Sequence, residues 1–539
     1  MDRILTKRTV IKQTLLLLLS FITAWITYVY NGYQDGLVLF LTVFYMVFFN
    51  VAAFLLGCID RSLERAPHCE GRSGMSDRKR FFLTAAILFL CYIPYLFIFF
   101  PGTCNWDTIN QIFDYYNGTD PMPFSWIRGQ EEISVFLNDH HPVFDTLIFS
   151  FFIWIGRSLG DINTGMALFI LVQLVAVSLV MSMMLMFMRK KGCPKIINAA
   201  ALVFTALMPF IAIFNVTMIK DTTFTLCFVL YLIVYISLNT DRPGLRDIIA
   251  LIVLSVLLSL TKKTGIYIIL LSNLGLFFNR DLRKRWKGII LSVLIPGIIM
   301  KVILAQLIFP AANIWPGGKQ EILSTFIQHV SCTVVEHPED IDENEAAVID
   351  RVVDYNAIPQ KFNPHSTDGV KDTYRFYAES SDIKDFMILW LKTGLTHPVT
   401  YLKASAGTCG GFFAPVSKVG VYTGIPDQKM VEVSQPEDTL EIRQAYNEFL
   451  DHLSGLLIFK TVVYSFWIPL YVLVMAITKK KSKVVISMIP VLVSILTLIA
   501  SPYSGARYAL PLIYTAFLIY GMLYFREEKE DRDQASEGT

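Results

Sequence analysis

The chain returns again and again to apolar runs long enough to cross a lipid bilayer, and this limits its fold more than any other feature. One such run, LLLLLSFITAWITYVY, begins at Leu15. A spanning helix needs about 20 mostly apolar residues, and twelve segments approach that length: 13–31, 36–57, 81–100, 166–188, 196–218, 222–238, 246–261, 265–279, 288–309, 455–477, 484–501 and 508–524. Composition agrees, with 54% of the 539 residues hydrophobic and 17% charged, and a mean hydropathy of +0.50. No ordinary water-soluble domain of this size has that balance. The expected fold is an all-α polytopic membrane protein of about twelve transmembrane helices.

Lys/Arg-rich loops stay in the cytoplasm, and four basic clusters orient the spans. They are Arg61 to Arg80, Arg189 to Lys195, Arg280 to Lys287 and Lys479 to Lys483. Placing all four inside puts both termini in the cytoplasm of a cell membrane. The apolar block 143–156 is short for a span, and if it crossed, the Arg189 cluster would face out. The sequence therefore predicts an interfacial helix over 143–159 and another over 108–117, both in the first outer loop.

The organisation expected is a membrane module over 1–309 with its first outer loop at 101–164, an extracytoplasmic α or α+β domain over 310–454, membrane helices over 455–525 and a cytoplasmic tail over 526–539. Acidic residues outnumber basic ones roughly two to one in 310–454, as an outside domain should show. Its stretch from Ile383 to Ser405 reads as one helix on the membrane surface. No internal repeat is visible.

A formal net charge of +2, with basic clusters that only flank apolar segments, excludes a nucleic-acid partner. The eight cysteines contain no CxxC zinc spacing. Cys104, Cys332 and Cys409 fall outside, and whether any two pair stays open.

Candidate chemistry concentrates in the polar loop after Phe100. Asp107, beside Trp106 and Asn110, reads either as a helix N-cap or as a general base whose proton affinity is raised by its apolar surroundings. His140 and His141, followed by Pro142, can donate to a phosphate or hold a carboxylate, or be solvated loop residues. Lys220 with Asp221, then Lys262, Lys263 and Arg507, fall at the outer ends of spans against the positive-inside bias, and Lys301 lies within one. Snorkelling accounts for one or two of these. Several together point to a lipid phosphate, with Asp221 either the partner of Lys220 or a second acid.

In this order and sidedness, Asp107, His141-Pro142, Lys220-Asp221, Thr261-Lys262-Lys263-Thr264-Gly265 and Arg507-Tyr508-Ala509-Leu510-Pro511 resemble the GT-C superfamily. Those membrane glycosyltransferases use polyprenyl-phosphate sugars and include the protein O-mannosyltransferases and aminoarabinose transferases. The chain also resembles an uncharacterised family of bacterial multi-pass membrane proteins, through Pro101-Gly102 with Asp107, His140-His141-Pro142, and His397-Pro398-Val399-Thr400-Tyr401-Leu402.

The resemblance implies a cell-envelope transferase moving a sugar from a polyprenyl-phosphate lipid to a glycan, lipid or protein acceptor. Asp107, Asp221 and His141 would be catalytic, and Lys220, Lys262, Lys263 and Arg507 would bind the donor phosphate. Trp106, His140 and Tyr508 would contact substrate among the membrane lipids. Related enzymes often carry two acids together in the first loop, whereas Asp107 is flanked by Trp106 and Thr108. Whether a divalent cation, magnesium or manganese, sits on Asp107 and Asp221 is left open. A lipid-linked glycan polymerase would share the phosphate site. A flippase or transporter of a lipid-linked or small anionic substrate suits twelve spans, but not the missing repeats and one-sided outer domain.

Overall fold

The computed structural model describes residues 2–33, 36–69, 75–118, 136–241 and 243–526. Much of the first outer loop and the tail beyond Arg526 lie outside the described residues. Among those described, eight helices are long and apolar enough to cross a membrane: Lys12–Asn31, Leu37–Glu64, Asp77–Ile98, Ile162–Lys190, Lys220–Thr240, Leu282–Ala311, Ser482–Ile499 and Ala506–Tyr524. A ninth is reached if the bent pair Lys195–Leu207 and Pro209–Asn215 is one span. In lipid a helix satisfies its own backbone groups, which is why such segments take this form. The protein is an all-α, membrane-spanning chain.

Of the twelve segments expected, three form helices shorter than a full span among the described residues. Leu245–Thr261 has 17 residues, and Gly265–Phe278 and Val463–Thr478 are likewise short apolar helices. Segment 196–218 is broken because Met208, which precedes Pro209, is extended at φ −70° and ψ 118°. The chain bends there by 58°, and every residue from Phe210 to Asn215 is buried.

The helix expected over 143–159 forms over Val143–Ser158. It doubles back along the start of Ile162–Lys190, with the Phe149 and Phe169 rings 5.2 Å apart. Gly156 and Gly165 touch so closely that a Cβ on Gly165 would lie 2.3 Å from the Phe152 carbonyl oxygen. The helix begins beside Lys220, through His141, whereas the far end of Lys220–Thr240 meets Lys191, which pairs with Asp241 and bonds Thr240. Both ends of Val143–Ser158 thus lie away from the Lys191 end of the bundle.

The segment 310–454 divides by packing. Ile327, Val352, Ile358 and Phe386 form a core of their own, whereas Cys409, Phe412, Val419 and Val433 join the main core of the bundle. The helix expected over 383–405 is two helices, Ser380–Thr396 and Pro398–Cys409, divided where Pro398 cannot continue the first. Trp390 packs on Phe326 and Tyr401 and donates to His329, so its face is turned into this core. All eight cysteines are free thiols.

Two short parallel pairings fix the geometry of the end of the bundle away from Lys191. Thr103–Cys104 lies beside Thr217–Met218, in the register Thr103 to Thr217 and Cys104 to Met218. The two threonine hydroxyls are 2.8 Å apart, and Thr108 Oγ1 donates to the Met218 carbonyl at 2.6 Å. Each strand leads directly into a helix, so the helices Trp106–Asn117 and Lys220–Thr240 start side by side. Leu137–Asn138 pairs likewise with Ile314–Trp315, tying the first loop to the segment after Ala311.

Candidate functional site

The ribbon is entered through Gly102, whose φ of +137° is open to glycine and strained for other residues. A Cβ there would meet Ile170 Cγ1 at 2.7 Å. The following helix is capped by Asn105, whose Oδ1 accepts from the Thr108 amide at 3.1 Å. Asp107 is therefore not the N-cap but stands in the first turn, where the helix dipole favours a carboxylate.

Asp107 Oδ2 accepts from Lys220 Nζ at 2.8 Å and from Arg507 Nη1 at 2.8 Å. Lys220 opens its own helix, a position the dipole disfavours for a cation, so its placement there follows from the acid across the ribbon. Arg507 sits on the turn Ala506–Ala509 before the last helix, and its Nη2 donates to Tyr508 Oη at 3.0 Å. Burial would push the Asp107 carboxyl up, but Lys220 and Arg507 outweigh it and hold it well below the usual carboxylate range. The raised proton affinity expected from its apolar surroundings is thus reversed by two cations.

Lys220 Nζ also lies 2.9 Å from His141 Nδ1. An ammonium only donates, so Nδ1 is the acceptor and a proton on this neutral ring belongs on Nε2. Burial, then the Lys220 charge, push the His141 pKa well below its ordinary value. Asp221 is not the partner of Lys220: its Oδ1 is 2.5 Å from Lys262 Nζ, in a pair whose carboxylate side chain is 1% exposed. Lys262 and Arg507 face the Tyr508 ring, each 4.9 Å from its centroid. Lys263 pairs with Asp139 further out. His140 Nε2 lies 3.7 Å from Glu321 Oε1, and Trp106 remains exposed at 55%.

Seven of the expected residues, Asp107, His141, Lys220, Asp221, Lys262, Arg507 and Tyr508, therefore form one connected cluster. His140 and Lys263 stand at its rim. Lys301, exposed on Ile299–Ile308, is elsewhere. Of the two carboxylates, Asp107 Oδ2 is held by two cations and Asp221 Oδ1 by a third, while Asp221 Oδ2 is buried with no hydrogen-bond partner.

Beside His140 opens a cleft of about 170 Å³ lined by residues such as Asn138, Gly318, Glu321, Lys371 and Phe376. Its rim depends on Gly317, where a Cβ would come within 2.7 Å of His140 Cα. Lys371 donates to Glu321 at 2.7 Å.

Sequence reasoning missed Asp145. It is fully buried in the first turn of Val143–Ser158, and neither carboxylate oxygen has a hydrogen-bond partner. Burial drives its pKa well above the ordinary value, against the pull of Lys220. The signal was present as the one acid inside the apolar run VFDTLIFSFFIWIG.

Neither the curated proteins nor the solved structures contain a match to the chain. Residues 130–538 match DUF6020, a family of unknown function. The matched stretch holds His140, His141, Lys220, Lys262 and Arg507 and begins after Asp107. Since it covers about three quarters of the sequence, the chain belongs to the DUF6020 family.

Proposed function

We propose that the protein is an integral-membrane glycosyltransferase of GT-C type, moving a sugar from a polyprenyl-phosphate donor to an acceptor hydroxyl outside the cytoplasm. The observation that carries this reading is the convergence of Lys220, Arg507 and Lys262 on two carboxylates at the end of the bundle away from Lys191. In this reading the shorter helices Leu245–Thr261, Gly265–Phe278 and Val463–Thr478 would also cross, and the charge pattern favours cytoplasmic termini.

In the proposed reaction the bond between the anomeric carbon and the phosphate oxygen breaks as the acceptor oxygen bonds to that carbon. The acceptor proton passes to Asp107, and the leaving phosphate takes up the cations. Without donor, those cations rest on Asp107 and Asp221. Entry of the phosphate would draw Lys220 and Arg507 off Asp107 and raise its proton affinity when a base is needed. Neutral His141 would orient the acceptor, and the cleft by His140 would receive it. Asp221 would serve to hold Lys262.

The test is transfer in proteoliposomes supplied with a panel of polyprenyl-phosphate sugars and an envelope extract as acceptor. Release of polyprenyl phosphate coupled to glycosylation, slowed about 10²- to 10⁴-fold by Asp107→Asn, supports the proposal. Movement of intact donor between leaflets without cleavage assigns a flippase instead.

A further inference from the structure

Independently of that cluster, we propose that His337, His397 and Asp340 form a binding site for a divalent d-block cation, zinc by preference. The helices Gln320–Glu336 and Ser380–Thr396 both end in a His-Pro dipeptide that starts another helical turn. The two histidines have nearly the same backbone, with φ −138° and ψ 57° at His337 and φ −124° and ψ 58° at His397. Their amides close the preceding helices on Thr333 and Thr393, each at 2.8 Å. Because the helices pack together, the duplicated corners bring the imidazoles to a centroid separation of 4.2 Å at an interplanar angle of 18°.

Asp340, on the turn after Pro338, completes the group. One ligand atom from each residue lies within 4.8 Å of the other two, and His397 Nε2 is 3.3 Å from Asp340 Oδ2. Zinc-to-ligand bonds of about 2.0–2.1 Å give a tetrahedron edge of about 3.3–3.4 Å, so this pair already has the spacing of two ligands on one ion. A plain ion pair would need only His397 and Asp340. The third group, His337, has the outer-shell support typical of metal ligands. Its Nε2 lies 3.2 Å from Thr400 Oγ1, which donates to Glu336 Oε2 at 3.0 Å, and Glu336 pairs with Lys403. Two histidines and one carboxylate suit borderline zinc better than magnesium or calcium, which prefer all-oxygen sets. Three protein ligands leave a fourth position for water or another donor.

The test uses the full-length protein in detergent, without a polyhistidine tag, stripped with EDTA and titrated with zinc chloride against a chromophoric chelator. One equivalent should bind, and His337→Ala or His397→Ala should weaken binding at least tenfold while the metal-free melting temperature stays at the parental value. Asp340 is exposed, so Asp340→Asn serves as the variant least able to disturb folding, and it too should weaken zinc binding. Failure of the parent to take up one equivalent, or unchanged affinity in Asp340→Asn and in the double variant His337→Ala/His397→Ala, overturns the site.

Discussion

The Lys220 ammonium lies 2.8 Å from the Asp107 carboxylate although 113 positions separate the two residues. Nothing local in either segment brings them together. The contact exists because two strands of two residues each run parallel and each opens a helix.

Asp107→Asn should keep the helix start intact, since Asn105 and not Asp107 is the cap. General-base catalysis contributes about 10²- to 10⁴-fold, so transfer should fall by that much while donor binding holds or strengthens as Lys220 and Arg507 are released. Near-parental turnover in a folded variant would end the assignment of Asp107 as base.

Arg507→Lys keeps the charge but cannot reach both Asp107 and Tyr508 with a planar fork. Binding of a polyprenyl-phosphate analogue should weaken about tenfold, equivalent to about 1.4 kcal/mol. Unchanged affinity in a binding isotherm would remove Arg507 from the phosphate site.

Lys262→Met should damage folding as well as binding, because Asp221 is left buried without its cation, a loss of about 3–5 kcal/mol for a broken buried pair. Adding Asp221→Asn should restore most of that stability without restoring donor binding. An SDS-unfolding series in which the double variant is no better than the single would refute the pairing.

Asp145 sets a pH dependence of definite sign. Its folded pKa lies above the unfolded value, so its contribution is fully present below the unfolded pKa and is lost as pH rises through the folded one. Asp145→Asn should therefore change the melting temperature little below the ordinary carboxyl pKa and raise it increasingly as pH climbs above that range. Parallel melting curves for parent and variant across that range would contradict the burial of an unpaired carboxyl.

Leu159→Cys, at a position 65% exposed, should react with an impermeant thiol reagent from outside in a cysteine-free background. Lys284→Cys should react only after permeabilisation. Protection of Leu159→Cys would mean that Val143–Ser158 crosses the membrane.

Much of this was readable beforehand because lipid enforces simple rules. Length and hydropathy give most spans, and the Arg189 cluster argues against a crossing by 143–156. The site residues were found by a violated rule, cations where the charge bias predicts few. Their pairing was not readable: Lys220 and Asp221 are neighbours in sequence, yet each takes its partner from another segment, across a ribbon too short to leave a strand pattern. The break at Pro209 was visible as a residue but not as a bend. Asp145 escaped because a single acid in an apolar run has no partner in sequence to mark it.

The Thr103–Cys104 and Thr217–Met218 ribbon also joins segments made far apart in synthesis. Asp107 precedes Lys220 by 113 residues and Arg507 by 400, so its carboxylate is synthesised before either of its cations. Its first counter-charge comes from the helix that the second strand opens, and its second from the turn before the final helix. A chain truncated before Arg507 would keep the ribbon and Lys220 but leave the Asp107 carboxylate with one of its two cations, so the charge balance of the site depends on the last helix being present.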